Sequence, residues 1–156
     1  MIDPDLSAMP KPHLRHRFRM AAILSRVHGF LYVLLNGRFV SQRGNARFLL
    51  LTTEGRRSQR LRTVALLYVS HNGNPSVIAS VGGNPSAPGW LLNIRNDPKV
   101  KVQIENVKWA GTARITTEEE REELWPQFIQ CYAGYERYQA KTARRFPIVI
   151  ITRDKD

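Results

Sequence analysis

Residues 48–69 read FLLLTTEGRRSQRLRTVALLYV, and this stretch decides how the rest of the chain is interpreted. Two apolar runs of strand length, 48–53 and 63–69, flank a polar segment that contains Gly55 and four arginines. Such an arrangement predicts a β-hairpin. Arginine forks fit phosphate or carboxylate oxygens, and Gly55 is expected to let the turn adopt a positive φ. The turn is therefore predicted to bind an anion, and the alternative is a solvated basic turn that keeps a hairpin soluble.

The length and the charge of the chain limit the functions open to it. It has 156 residues, 42% of them hydrophobic, which suits one domain with a packed core. Residues 1–62 hold 12 Lys and Arg against 3 Asp and Glu, whereas residues 63–156 hold 12 against 10. A basic segment suits nucleic acid, an anionic membrane or a polyanionic small molecule. Nucleic acid is not expected, because no zinc spacing, RNP-like aromatic run or convincing helix-turn-helix accompanies the charge.

The expected location is cytoplasmic. Cys131 is the only cysteine, which indicates a reducing compartment without a disulfide framework. The first residues lack the pattern of a secretion signal. No apolar run approaches the roughly 18 residues that would suggest a spanning helix.

Three regions are predicted along the chain. Residues 1–12 contain three prolines and are predicted to be a flexible tail. Residues 13–37 have apolar side chains at intervals of three and four with arginines between them, which predicts a basic amphipathic helix. That helix could lie on an anionic bilayer at the inner face of the cell membrane, or cover the open edge of a sheet. Residues 38–156 are predicted to form the barrel domain.

Beyond the hairpin, the pattern is of short strands with helical connections. The predicted strands are residues 77–81, 100–104, 108–115 and 146–151. A loop and short helix are expected over 84–97, with Pro88 near the first helical position. Thr117 and Glu120 form a capping box that starts a second helix, which Pro126 should kink. About six antiparallel strands without βαβ alternation indicate a mainly β (α+β) domain built as a small β-barrel.

Few side chains suggest chemistry of their own. The four histidines have no metal-ligand spacing, so no metal site is expected, and Ser58 and Ser80 lack His-acid partners. What remains is the arginine turn, the Ser80-Val81-Gly82-Gly83 strand end and three tyrosines spaced by three. That set predicts a site for a flat phosphorylated cofactor beside an aromatic substrate pocket, with the cofactor carrying the hard chemistry.

Several motifs in register resemble the deazaflavin-dependent nitroreductase family of actinobacteria. They are residues 52–58 with Arg62, 79–83, 88–94, 124–126, the tyrosine segment 132–139, and 145–149. The resemblance covers about residues 46–151. It implies an FMN-binding-like split β-barrel that uses reduced coenzyme F420 to deliver a hydride to a quinone-like, nitroaromatic or enone acceptor.

The resemblance also implies roles for individual residues. Gly55, Arg56, Arg57 and Ser58 would grip the cofactor phosphate, and Arg62 would assist with the phosphate or the anionic tail. The further cofactor-binding residues would be Thr63, Val64, Ala65, Leu66, Leu67, Ile78, Ala79, Ser80, Val81, Gly89, Trp90, Leu91, Leu92, Asn93 and Tyr135. The predicted catalytic residues, which would line the acceptor pocket, are Tyr135, Ser80, Tyr132 and Tyr138. Among them, Tyr135 would orient the acceptor or support its protonation.

The chain departs from the family pattern at three places. Val81 stands where a lysine is common, Gln59-Arg60 replaces a usual glycine, and Ala65 replaces a usual proline. Two rival functions stay open on the sequence: a split barrel that binds another flavin, haem or a lipid, and a basic protein that coats membrane or nucleic acid through residues 11–62. The sequence leaves the oligomeric state and the physiological acceptor undetermined.

Overall fold

A computed structural model describes residues 42–43 and 46–155. The predicted tail 1–12 and the predicted amphipathic helix 13–37 lie outside the described residues. Within them the elements are β1 Gln42–Arg43, β2 Ala46–Glu54, β3 Leu61–His71, β4 Asn74–Ile78, a 3-10 turn Val81–Gly83, α1 Gly89–Asn96, β5 Lys99–Ile104, β6 Val107–Ile115, α2 Glu118–Cys131, α3 Gly134–Gln139 and β7 Ile148–Arg153.

The strands form a closed antiparallel barrel. Their order is β1-β2-β3-β4-β7-β6-β5, and β2 also pairs with β5, so six strands complete a ring with the short β1 outside it. The predicted hairpin is confirmed as β2 and β3, whose ladder runs on to Glu54 opposite Leu61. Closure leaves β2 paired on both edges, with Leu51 opposite Val64 on one side and Val102 on the other. The predicted mainly β split barrel is confirmed.

Two apolar clusters stabilise the barrel. Its interior holds buried side chains from β2, β4, β5, β6 and β7, packed against Leu91 and Ile94 of α1. The second cluster lies where α2 and α3 cover the outside of β3, β4 and β7, and it centres on Phe128 and Phe146, both fully buried. Burying one such side chain contributes about 1.5–3 kcal/mol. The second cluster matters most for the site, because it fixes α3 against the barrel.

Helix starts follow their sequence signals. The Pro88 carbonyl accepts the first hydrogen bonds of α1, from Leu91 and Leu92, as expected for a proline at a helix N-terminus. Thr117 accepts from the Glu120 backbone N–H while the Glu120 carboxylate accepts from Thr117, which confirms the capping box. The assigned helix α2 continues across Pro126 from Glu118 to Cys131, and the kink remains a prediction. Among the described helices, none has the length and apolar character needed to cross a bilayer.

Two predicted strand boundaries are wrong. The third strand ends at Ile78 rather than at residue 81, because Val81, Gly82 and Gly83 have φ of 47°, 63° and 85° and cannot continue a ladder. The last strand runs over Ile148–Arg153 rather than 146–151. Pro147 has no N–H to donate to a ladder, and its carbonyl instead accepts from Ala79.

Candidate active site

One cavity of about 1470 Å³ lies between the hairpin, the end of β4, the start of α1 and the tyrosines of α2 and α3. Its lining contains most of the predicted site residues: Gly55, Arg56, Arg57, Ser58, Arg62, Thr63, Val64, Ala65, Leu66, Leu67, Ile78, Ser80, Val81, Gly89, Trp90, Asn93, Tyr132, Tyr135 and Tyr138. Three predicted residues do not line it. Ala79 and Leu91 are buried in the barrel interior, and Leu92 is half-buried on α1. Ala79 and Leu91 therefore belong to the barrel core and not to the cavity surface.

The arginine turn is compact, but Gly55 does not have the positive φ that the sequence suggested. The left-handed residue is Gln59, with φ of 53°. Gly55 is needed for close approach instead, since a Cβ there would lie 2.6 Å from Ser58 Oγ and 3.2 Å from the Arg60 carbonyl oxygen. The Gly55 N–H donates to Arg60 O at 2.9 Å, and the Gln59 N–H donates to Gly55 O at 2.7 Å.

Asn93 of α1 fastens this turn to the body of the domain. The Arg56 backbone N–H donates to Asn93 Oδ1 at 3.2 Å, and Asn93 Nδ2 donates to Thr53 Oγ1 at 3.0 Å. Asn93 and Thr53 are both buried. Buried polar groups are costly unless paired, so this pair of bonds determines where the turn sits relative to α1.

The positive charges of Arg56 and Arg57 are not neutralised by an ion pair within residues 47–155. Within residues 47–155, the ion pairs are Lys99–Asp154, Arg114–Glu120 and Arg145–Glu118, and none involves Arg56 or Arg57. Both arginines are exposed and line the cavity. Arg62 lies 3.5 Å from Ser58 Oγ through Nη2. This part of the cavity is therefore positively charged and carries guanidinium donors that form no ion pair within the described residues, a combination that attracts phosphate and carboxylate groups.

Three tyrosines also line the cavity. Tyr132 Oη and Tyr138 Oη are 2.9 Å apart, and the Tyr135 ring meets both of their rings edge-on. Tyr135 is 7% exposed. Burial raises the pKa of Tyr135, while the hydrogen bond with Tyr132 and then burial raise the pKa of Tyr138 to about 12. Both phenols therefore stay protonated at neutral pH and can donate a hydrogen bond.

The segment that follows β4 also lines the cavity, and its backbone is strained. Ser80 is buried, and Val81 is 41% exposed with φ of 47°. A β-branched residue rarely adopts a positive φ. The guanidinium of Arg144 donates to the carbonyl oxygens of Ala79, Ser80 and Asn84 at 2.9, 3.1 and 3.0 Å. Burial lowers the pKa of Arg144, without removing its charge at neutral pH.

Several residues of the site had not been predicted. The cavity also touches Phe48, Leu61, Gly82, Pro88 and Cys131. Cys131 is the last residue of α2 and Tyr135 lies on α3, so no helical spacing indicated that Cys131 would reach the cavity. Arg144 gave no signal either, because in the sequence it looks equivalent to the neighbouring Arg145.

The comparisons with known proteins agree with this geometry. The family model that describes F420H(2)-dependent quinone reductases matches residues 24–153. The F420H(2)-dependent quinone reductase Rv1261c of Mycobacterium tuberculosis is 32% identical over 135 residues, which is 83% of this chain and 90% of that protein.

Two solved structures are also similar. One, an F420-H2 dependent reductase designated FDR-A, is 38% identical with a TM-score of 0.62 over 67% of this chain and 93% of its own. Another, described as a domain-swapped dimer, is 34% identical with a TM-score of 0.65 over 91% of this chain and all of its own. From the family match and these identities, the chain belongs to the F420H2-dependent quinone reductase family.

Proposed function

We propose that this protein reduces a quinone-type acceptor with a hydride taken from reduced coenzyme F420. The observation that carries the proposal is one cavity lined both by Arg56 and Arg57, which form no ion pair among the described residues, and by three tyrosines, of which Tyr135 and Tyr138 have raised pKa values. Its family supplies the donor and the class of acceptor. The rival readings, another flavin, haem or lipid, or a coat on membrane or nucleic acid, are not favoured by these relatives.

The cavity fits the cofactor and an acceptor together. Sites for one small molecule measure about 300–1,000 Å³, and this cavity of about 1470 Å³ exceeds that range. The guanidinium groups of Arg56 and Arg57 would hold the cofactor phosphate, with Arg62 beside them. The residues that would border the ring are Thr63–Leu67, Ile78, Ser80, Gly89, Trp90 and Asn93. The absence of a lysine at position 81 removes one further cationic contact.

Reduced coenzyme F420 supplies a hydride when it is bound, and the protein's own residues position the acceptor and supply the proton. Tyr135 would donate a hydrogen bond to the acceptor oxygen that gains negative charge, with Ser80 as a second donor. Tyr138 bonds to Tyr132, which is 40% exposed. A proton delivered through this pair can therefore be replaced from solvent. The buried rings of Trp90 and Tyr135 would limit the access of water to this part of the cavity.

We propose that the protein can also reduce nitroaromatic and enone acceptors. Both develop negative charge on an oxygen when they accept a hydride or its equivalent, so the same phenol donors would serve them. We expect a quinone to be turned over fastest, because the relatives with more than 30% identity are named for it.

The decisive experiment is a fluorescence titration of oxidised coenzyme F420 and of FMN with the purified protein, followed by turnover of reduced F420 with a soluble quinone. We expect tighter binding of F420 at low salt, because its tail brings carboxylates to the basic half of the chain. Each close exposed pair is worth on the order of 1 kcal/mol and is screened by salt. Equal affinity for the two cofactors, or no quinone-dependent oxidation of reduced F420, would contradict the proposal.

We also propose peripheral contact with an anionic membrane through residues 14–35, which lie outside the described residues. The support within the barrel is that three apolar side chains lining the cavity are exposed: Leu61 60%, Val81 41% and Tyr132 40%. The test is co-sedimentation with vesicles that contain anionic lipid, using a full-length variant with Arg15→Glu, Arg17→Glu and Arg19→Glu. Unreduced pelleting of this variant would contradict membrane contact through the segment.

A further inference from the structure

Arg144 holds the strained end of β4 from outside the cavity. Its planar guanidinium donates to three backbone carbonyl oxygens: Nη1 to Ala79, Nη2 to Ser80 and Nε to Asn84. The three acceptors lie on both sides of the 3-10 turn Val81–Gly83. A single rigid fork therefore spans the turn, which a lysine ammonium cannot do with the same geometry.

The turn needs such support. Val81, Gly82 and Gly83 are consecutive left-handed residues, and Val81 is β-branched. Strained backbone of this kind persists only when the surroundings fix it. Within the turn, the Gly83 N–H donates to Ser80 O at 3.1 Å and the Asn84 N–H donates to Val81 O at 3.2 Å. These two amides report directly on whether the turn is intact.

The segment that carries Arg144 is itself tied to the tyrosines. Gln139, the last residue of α3, donates through Nε2 to Arg144 O at 2.9 Å and accepts from the Phe146 N–H at 3.3 Å. The Arg144 guanidinium also lies over the Phe146 ring, 4.8 Å from its centre. On the other side, Gly83 packs so closely under α3 that a Cβ would lie 2.7 Å from Tyr138 O.

We propose that Arg144 is a positioning residue that sets the separation between Ser80 and the tyrosines of α3. It does not line the cavity, so it acts through the carbonyls of the strand end. The inference rests on the proposed function in one respect, namely that Ser80 and the tyrosines face the acceptor.

The experiment compares Arg144→Lys and Arg144→Ala with a matched control, Arg145→Ala. Arg145 is adjacent and forms an ion pair with Glu118 on the surface. Hydrogen exchange at the Gly83 and Asn84 amides should quicken by roughly tenfold or more in both Arg144 variants, the loss expected when charge-assisted bonds are broken. The acceptor KM should rise by a similar factor, while the F420 dissociation constant changes less than about threefold. Arg145→Ala should match the wild type in all three.

Chemical rescue separates positioning from general destabilisation. Millimolar guanidinium should restore the KM and the slow exchange of Arg144→Ala and leave Arg145→Ala unaffected. If Arg144→Ala does not fold, Arg144→Lys alone decides. Wild-type exchange at both amides in Arg144→Lys would overturn the inference. If the wild type fails to oxidise reduced F420 with quinone, the proposed function falls, while the exchange measurement still tests the role of Arg144.

Discussion

Tyr132 Oη and Tyr138 Oη are hydrogen-bonded to each other at 2.9 Å, and the buried Tyr135 lies edge-on to both of their rings. The hydroxyl of Tyr135 bonds to no other residue in the described part of the chain. Within the described residues, Tyr132 and Tyr138 are thus partnered with each other, and the Tyr135 hydroxyl, which lines the cavity, has no such partner. This difference separates the roles of three residues that look alike in the sequence.

Tyr135→Phe should leave F420 binding intact and lower turnover of a quinone by roughly tenfold or more. The ring and its packing are kept, and only a donor to a developing oxyanion is lost. The measurements are a fluorescence titration and steady-state kinetics at saturating cofactor. Tyr132→Phe is the comparison, because Tyr132 is exposed at the rim and should matter less. If Tyr135→Phe reduces the quinone at the wild-type rate, Tyr135 is not the hydrogen-bond donor to the acceptor, and Tyr138 or solvent must take that role.

Replacing Arg56 and Arg57 together by Ala should weaken F420 binding by about 2–4 kcal/mol, if two charge-assisted contacts to phosphate are lost. Turnover at saturating cofactor should change much less, because the phosphate is unaltered during hydride transfer and the contacts contribute uniform binding. Arg60→Ala is the matched control: Arg60 is an exposed arginine of the same turn that does not line the cavity. If Arg60→Ala loses as much F420 affinity, the loss reflects the overall positive charge of the turn and not direct contacts of Arg56 and Arg57 with the phosphate.

Local signals predicted the fold well, and long-range contacts explain what they missed. The β2–β3 hairpin, the Pro88 start of α1 and the Thr117 capping box each depend on residues within about two dozen positions of one another. The barrel closes because β2 pairs with β5, whose residues lie about fifty positions later in the chain. No local sequence pattern encodes this pairing.

Long-range contacts also determine the geometry of the site. The motif residues converge on one cavity, but what holds them could not be read from spacing. Asn93 bonds to a turn nearly forty residues earlier, and Arg144 bonds to a strand end more than sixty residues away. Gly55 illustrates a different limit. A glycine serves either a positive φ or a close approach, and the sequence does not distinguish the two.

Glu120 should make stability depend on acid pH. Arg114 donates to its two oxygens at 2.6 Å each, and this pairing, with the Thr117 N–H, lowers its pKa from 4.5 to about 2. A depressed folded-state pKa contributes stability that is present above the unfolded value and lost as the pH falls through the folded one. Thermal unfolding of Glu120→Gln should therefore differ most from wild type at neutral pH, and the gap should shrink between pH 4.5 and 2.

The control for this pH dependence is Glu122→Gln, which changes an exposed glutamate on the same helix. Its unfolding temperature should follow that of the wild type across the same range. High salt should also narrow the Glu120 effect, because the pair is partly exposed and screened. A gap between Glu120→Gln and wild type that persists unchanged at pH 2 would show that the side chain acts by packing.

Asn93 connects α1 to Thr53 and to the arginine turn through two hydrogen bonds. Asn93→Leu removes both hydrogen bonds and leaves the hydroxyl of Thr53, a residue that is 1% exposed, without its partner. The free energy of unfolding should fall by about 1–3 kcal/mol, the cost of an unsatisfied buried polar group. F420 binding should weaken as well, because the arginine turn loses its attachment to α1. Urea unfolding and fluorescence titration measure the two effects, and Asn96→Leu, at the exposed end of the same helix, is the control.

Adding Thr53→Val to Asn93→Leu separates these effects. The double variant removes the orphaned hydroxyl, so its stability should recover relative to Asn93→Leu alone, a coupling that a double-mutant cycle measures. Cofactor affinity should not recover, because the Arg56 N–H still lacks the Asn93 oxygen that positions the turn. If affinity and stability recover together, Asn93 supports the domain as a whole and does not place the arginines.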